Sequence, residues 1–317
     1  KREKYEYPNY VDTIKKAWKE EEIQFESSGL IFKGSLFIPQ GKKVKKTVIL
    51  VHGSGPNDRF SSIGPNKIFK DIALFLAQNG IAVICYDKRT YAFPGYGNKD
   101  SLTVKEEVID DVNALISWIK TNKKLKKSKI YLAGHSLGAS LAARIANQNP
   151  EIKALILLAP AASSLEDLVI DQIEYLLSRS ISSDIEDSIL LEMKKSRDAL
   201  KNYYQSGQYD TSVDLFLNIS LKYWDDLNKN PFIESFKSNN LPKLFCFGGR
   251  DYQVNPIQMR LFENAGISYS KFLFFPDLNH LFIYGSGTPG PEEYEEPGHF
   301  DREVLLNILQ WINETKI

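Results

Sequence analysis

Residues 130–147 read IYLAGHSLGASLAARIAN. The apolar run Ile130 to Ala133 predicts a buried strand, and Leu137 to Asn147 has the apolar spacing of a helix. Between them stand Gly134, His135, Ser136, Leu137 and Gly138. A strand that turns at once into a helix leaves no room for side chains two residues before and two after the apex, and both positions are glycine. Ser136 at the apex is thereby lifted clear of the sheet and becomes a candidate nucleophile. The pentapeptide by itself is common, and the strand before it and the helix after it give it meaning. The other role open to a serine here is a helix N-cap.

Working outward, short β-type runs alternate with amphipathic stretches. Strands are expected at Thr47 to Val51, Ile81 to Tyr86, Ile130 to Ala133 and Ala154 to Ala159, with helices at Ile68 to Gln78, Val104 to Ile119 and Leu137 to Asn147. Apolar strands separated by helices mean a parallel sheet covered on both faces. Ile23 to Glu26 and Leu30 to Ile38 precede this as an opening hairpin, turning at Ser27, Ser28 and Gly29. From Ala161 to about Asn240 the alternation stops and the chain becomes polar and helical in period. Ser163 with Glu166, and Ser183 with Glu186, have capping-box spacing. Behind the first lies a stripe of Leu165, Leu168, Val169, Ile173, Leu176 and Leu177, and behind the second one of Ile185, Ile189, Met193 and Leu200. Phe216, Tyr223, Trp224 and Phe232 read as core of this insertion, with pocket lining as the alternative. Alternation resumes with strand Leu244 to Phe247, helix Pro256 to Ala265, strand Lys271 to Phe275 and a closing helix from Arg302 to Ile312. The expected organisation is a polar leader over residues 1–22, a core over 23–160 and 241–317, and a helical insertion over 161–240.

The chain has 317 residues, enough for one large core with an insertion. Lysine plus arginine equals aspartate plus glutamate at 40 each, so no global field draws nucleic acid or an anionic surface. The lysine clusters at Lys42 to Lys46 and Lys120 to Lys129 read as solvated loops. Cys85 and Cys246, the two cysteines, lie in β-type runs and read as buried free thiols, with no metal-site or disulfide spacing. The longest apolar stretch, Ala154 to Ala162, falls well short of the roughly 20 residues that span a bilayer, so a soluble protein is expected. The chain starts at Lys1, which leaves a removed signal or anchor open and the compartment, cytoplasmic or exported, unread.

A serine hydroxyl needs a base within reach and an acid to orient that base. Four histidines are available. His135 lies inside the turn and His52 ends the first parallel strand, so neither is expected to serve Ser136 as a base. His280 follows the strand Lys271 to Phe275 by a short loop, at the same sheet edge as Ser136, and is preferred over His299 nineteen residues later. Asp251, after the turn Gly248, Gly249, Arg250, is the expected acid, and Asp277 its rival. Ligand sites of open parallel sheets lie at carboxyl strand ends, and the chain order Ser136, Asp251, His280 suits that arrangement. A carbonyl under attack also needs two N–H donors for its oxyanion. Leu137 supplies one at the helix start, and Ser54, with Gly53 as the alternative, supplies the other from the loop His52 to Pro56. A phosphate-cradling reading of that loop fails, since no lysine followed by serine or threonine comes after it.

The loop His52 to Pro56, the turn Gly134 to Gly138, the Gly248 to Asp251 turn and the His280 loop together resemble the α/β-hydrolase superfamily, from about residue 23 onward. More narrowly, His52 to Arg59 with Gly64, Pro65 and Asn66, then Tyr86 to Thr90 and Asn279 to Phe282, resemble bacterial hydrolases related to cinnamoyl esterases, dienelactone hydrolases and serine aminopeptidases. That resemblance implies ester hydrolysis and a helical cap between the sixth and seventh strands of the core sheet; no metal or cofactor is expected. One departure is clear: dienelactone hydrolases use a cysteine nucleophile where this chain has Ser136. The expected activity is cleavage of small to medium acyl or aryl esters through an acyl-enzyme, the partner being a small-molecule ester. An aminopeptidase or amidase with the same three residues is the enzyme alternative; Glu166, Asp167, Asp171 and Glu174 are available to bind its free amine but read as a solvated helix face. An inert binding module on the same fold is the non-enzyme one. Oligomeric state is not legible.

Overall fold

The computed structural model describes residues 5–41, 43–96, 102–179 and 184–317. Its frame is an eight-stranded sheet. β1 (Trp18–Ser27) and β2 (Leu30–Pro39) form the opening hairpin, and β3 (Lys46–Val51) starts the parallel part. A two-stranded hairpin, β4 (Ser62–Ile63) with β5 (Asn66–Lys67), follows outside the sheet. The sheet continues with β6 (Ala82–Tyr86), β7 (Lys129–His135), β8 (Ile152–Leu158), β9 (Lys243–Gly248) and β10 (Ser270–Phe275). Its spatial order is β1-β2-β6-β3-β7-β8-β9-β10, antiparallel at β1/β2 and β2/β6 and parallel elsewhere. After β3 the chain runs outward to β6, then returns to the other side of β3 as β7. The direction of winding therefore reverses between β3 and β7, and the crevice at their carboxyl ends is where such sheets hold ligands. With its flanking helices this is the α/β-hydrolase fold.

Every residue of β6 and β9 is buried, as a strand covered on both faces requires. The outer strands differ. In β1, Ile23, Phe25 and Ser27 are buried while Gln24 and Glu26 face solvent, and in β10 Phe274 is exposed. The expectation of strands apolar throughout thus holds inside the sheet and fails at its edges, where only one face is covered. β1 also begins at Trp18 rather than Ile23. The stretch expected as a polar leader accordingly supplies five strand residues, and Val11 within it is buried in the core.

The helices are α1 (Ile68–Gln78), a single turn α2 (Arg89–Ala92), α3 (Asp110–Thr121), α4 (Leu137–Asn147), α5 (Leu165–Ser178), α6 (Asp184–Ser206), α7 (Leu221–Asn228), α8 (Phe232–Lys237), α9 (Ile257–Asn264) and α10 (Arg302–Glu314). A π-helical turn, Lys105–Ile109, leads into α3, where one continuous helix was expected from Val104. The four helices α5 to α8 fall between the sixth and seventh strands of the main sheet in chain order. Helix α5 starts one residue later than its capping-box spacing predicts. Ser164 is its N-cap and bonds Asp167 at 2.9 Å, while Ser163 is engaged by Gln258, whose Oε1 accepts from its N–H and whose Nε2 donates to its hydroxyl. Of the second apolar stripe, Leu200 is buried, but Ile185 and Ile189 are exposed on α6. Ser183, its proposed cap, and Lys42 lie outside the described residues. Phe216, Tyr223 and Trp224 are core of the helical segment. Both cysteines are buried and unpaired. Among the described residues no helix is long and apolar enough to cross a membrane.

Candidate active site

Ser136 takes φ 54° and ψ −121°, a conformation that costs a non-glycine residue about 1–3 kcal/mol. The surroundings impose it. Its N–H donates to the Leu158 carbonyl at 2.8 Å, and its carbonyl accepts from the Ser140 N–H at 3.0 Å. The two glycines of the turn are required by contact. A Cβ on Gly134 would lie 2.3 Å from the Gly138 carbonyl oxygen, and one on Gly138 would lie 2.4 Å from that of His52. Helix α4 is thus pressed against the end of β3. Ser136 occupies the N-cap position of α4, yet its hydroxyl makes no capping bond, so the capping role falls away.

Ser136 opens onto a cavity of about 180 Å³. His280 lines the same cavity, in the loop that follows β10. Its Nδ1 lies 2.7 Å from Asp251 Oδ2, and both side chains are buried. Asp251 follows β9, and its Oδ1 accepts from the Gln253 and Val254 N–H groups at 2.8 Å each. The carboxylate is therefore fixed at both oxygens. With Nδ1–H directed at the carboxylate, the ring's Nε2 is left as its acceptor. The other carbonyl-facing candidates come together as well: Ser54 and Leu137 both line the cavity. Leu137 is the first residue of α4, where an N–H has no intrahelical acceptor and the helix dipole is positive. Gly53 abuts Ser136 directly, since a Cβ there would stand 3.0 Å from the serine Cβ.

The rivals lie elsewhere. His299 bonds Asp71, itself buried beneath the N-terminal segment, and Asp277 is an exposed loop residue whose carbonyl accepts from Gly285. His52 places Nε2 2.6 Å from the Tyr86 carbonyl, and burial pushes its pKa down to about 4. His135 has a role that its position in the sequence did not reveal. Burial first, then the neighbouring His280, push its pKa down to about 3, so the ring is neutral and its Nε2–H donates to the His280 carbonyl at 2.8 Å. It holds the loop that carries His280. Asn279 works from inside that loop, its Oδ1 accepting from the N–H groups of Leu281 at 3.0 Å and Ile283 at 3.2 Å.

The far wall of the cavity comes from the helical segment: Leu165, Leu168, Val169 and Gln172 of α5 and Phe232 of α8. Among its described lining residues none is aspartate, glutamate, lysine or arginine. Glu166 is buried and its pKa is raised by that burial, but it faces a separate pocket of about 90 Å³. Asp167 is paired with Arg197 and Lys201, and Glu174 with Lys194, while Asp171 is exposed, so the carboxylates of α5 do not line this cavity.

Residues 42–284 match the family model Hydrolase_4, described as serine aminopeptidase S33. Among curated proteins, the chain is 38% identical over 311 residues to esterase EstD of Thermotoga maritima, covering 97% of this chain and 70% of that one. Among solved structures it is similar to Est1E from Butyrivibrio proteoclasticus, with TM-score 0.59, 16% identity and coverage of 92% of this chain and 98% of that one. It is also similar to a dienelactone hydrolase from Anabaena variabilis, with TM-score 0.55, 15% identity and coverage of 95% and 100%. At these identities the structural likeness speaks for the fold, and the family rests on the sequence matches. The chain belongs to the serine aminopeptidase S33 family of α/β-hydrolases.

Proposed function

We propose that the protein is a carboxylesterase in which Ser136 is the nucleophile, His280 the general base and then acid, and Asp251 the residue that holds the imidazole. The observation that carries this reading is the buried Asp251–His280 pair at 2.7 Å on the same cavity as the elbow serine. His280 Nε2 takes the proton as Ser136 Oγ attacks the ester carbonyl, and Asp251 stabilises the imidazolium that results. The Ser54 and Leu137 N–H groups receive the oxyanion. Collapse of the tetrahedral species returns the proton to the leaving alcohol and leaves an acyl-Ser136. A water activated by His280 then releases the acid. No step calls for a metal or a cofactor.

Similarity to an esterase at 38% identity supports ester rather than amide substrates. The absence of a carboxylate among the described cavity-lining residues supports the same choice, because nothing there would fix the free amine of a peptide. The substrate class is an uncharged ester of small to medium acyl or aryl acids. An apolar cavity of about 150 Å³ holds a benzene ring, and the space beside Ser136 is of that order. Residues 161–240 act as a cap, a reading supported by the α5 and α8 side chains that close the cavity. The test is a panel of nitrophenyl acetate, butyrate, benzoate and dodecanoate beside aminoacyl anilides. Turnover of the short and aromatic esters, weak or absent with dodecanoate and anilides and abolished in Ser136→Ala, is expected. Preference for the anilides refutes the ester assignment, and unchanged ester turnover in Ser136→Ala refutes the nucleophile.

A further inference from the structure

The loop that faces Ser136 is held from behind by a buried ionic chain. Lys88 is buried, and its ammonium uses three directions: the Gly53 carbonyl at 2.9 Å, the Gly55 carbonyl at 3.0 Å and Glu107 Oε1 at 2.5 Å. The second oxygen of Glu107 accepts from the Tyr223 hydroxyl at 2.8 Å, and Tyr223 belongs to α7 of the helical segment. Glu107 itself sits in the π-helical turn before α3, the kind of helix irregularity that recurs at functional sites. A buried lysine and glutamate are retained at a desolvation cost, which calls for a reason beyond stability.

The planarity of the peptide bond supplies one. The Gly53 carbonyl and the Ser54 N–H belong to a single trans peptide and point in opposite directions. An ammonium that fixes the carbonyl on one side therefore fixes the N–H on the other. Gly53 lies against Ser136 and both Gly53 and Ser54 line the reaction cavity, so the peptide that Lys88 holds borders the site. Resting on the proposed esterase mechanism, we infer that Lys88 is a positioning residue that sets the Ser54 N–H as an oxyanion donor, and that Glu107 and Tyr223 tie this setting to the helical segment over the site. Asn57 assists, its Nδ2 donating to the Ser54 and Gly55 carbonyls at 3.0 Å each and to the Gly53 carbonyl at 3.5 Å, but it is a neutral partner from within the same loop and farther from Gly53 than Lys88 is. Among the described residues, Lys88 is the charged side chain that reaches these carbonyls, and it comes from another strand end. The packing of α7 against the core thereby acts on the transition state, although Lys88, Glu107 and Tyr223 do not line the cavity.

The experiment pairs Lys88→Met with Glu107→Gln, so that no lone charge is left buried, and examines Tyr223→Phe separately. Three quantities are measured for each: kcat and KM on nitrophenyl butyrate, the inhibition constant of a trifluoromethyl ketone that forms an oxyanion on Ser136, and that of the matching neutral alcohol, which does not. Loss of one oxyanion donor is worth about 10²–10³ in kcat. The double variant is expected to lose about 100-fold in kcat and in ketone affinity together, with KM and alcohol affinity within about threefold. Should the double variant fail to fold, Tyr223→Phe decides, with an expected parallel loss of about threefold to tenfold in kcat and ketone affinity. The inference is overturned if ketone affinity is unchanged while kcat falls, or if ketone and alcohol affinities fall equally. Phosphonate labelling of the unaltered protein separates the two levels: labelled Ser136 with unresponsive variants removes only the role of Lys88, whereas no label on Ser136 removes the mechanism beneath it.

Discussion

Replacing Asp251 by asparagine changes one atom's chemistry in a position whose hydrogen bonds dictate the outcome. In the native protein Oδ1 accepts from two backbone N–H groups, of Gln253 and Val254, and Oδ2 faces His280 Nδ1. The asparagine carbonyl oxygen keeps the two N–H donors, so the amide NH2 is turned to His280. Nδ1 must then present a lone pair, and the ring proton moves to Nε2, where it blocks acceptance of the Ser136 proton. Rotating the amide to restore the useful tautomer would set its NH2 against two N–H donors, at about 1–3 kcal/mol for each bond lost. That route costs nearly as much as the wrong tautomer, for which a loss of about 10⁴ in kcat, or ~5.5 kcal/mol, is typical. Asp251→Asn is therefore expected to lower kcat by about 10³–10⁴, with KM within about threefold and a melting temperature within a few degrees. Initial rates on nitrophenyl butyrate and a thermal melt suffice. A variant that keeps more than a tenth of its kcat, or that loses activity through KM alone, refutes the reasoning.

Further outcomes follow from burial and contact. In Gly138→Ala the new Cβ would stand 2.4 Å from the His52 carbonyl oxygen and 2.5 Å from that of Val51, so α4 must shift. A loss of about 3 kcal/mol or more in unfolding free energy is expected, and a melt within about 2 °C of the native one contradicts the close approach. His52 and His135 are held neutral, their pKa values pushed from 6.5 down to about 4 and about 3. The unfolded chain binds protons on these rings first, so stability is full above the unfolded value and is lost as pH falls toward the folded ones. By pH 5 each ring accounts for up to about 2 kcal/mol, and urea unfolding should show the decline between pH 7 and pH 5. Stability that is flat over that range, or that rises on acidification, would be the wrong sign. Burial pushes the Cys85 and Cys246 thiols well up, so neither should react with a thiol reagent until denaturant is added, when both should. Fast reaction of either in the native protein contradicts the packing.

The inner sheet was legible in the sequence because a strand buried on both faces must be apolar along its whole length, as in Ala82 to Tyr86. The turn at Ser136 was legible because only glycine survives the contacts at residues 134 and 138. Edge structure was less so. Residues 19–22 of β1 are Lys, Glu, Glu and Glu, which one open face tolerates and which read as a charged leader. The start of α5 was misread by one residue because adjacent serines offer the same cap, and Gln258, ninety-four residues beyond Ser164 in sequence, decides between them. Ile185 and Ile189 keep helical spacing but reach no core, so periodicity overstated their burial. His280 and Asp251 were placed together by strand-end logic and lie together in space. Of the supporting groups, His135 and Lys88 lie in stretches the sequence singled out, but nothing local tied either to its partner, and Glu107 had no signal. A histidine donating to a distant carbonyl, or a charge that is buried rather than solvated, becomes visible only when the strands bring its partner close.

The central claim is that Ser136 carries the acyl group. It is tested most directly by quenching the protein with acid during turnover of nitrophenyl butyrate and mapping the trapped acyl adduct by peptide mass spectrometry. A single butyryl group on the peptide containing Ser136, absent from Ser136→Ala, is the expected result. An adduct on Ser54, Ser140 or another residue, or full turnover by the alanine variant, would contradict the account.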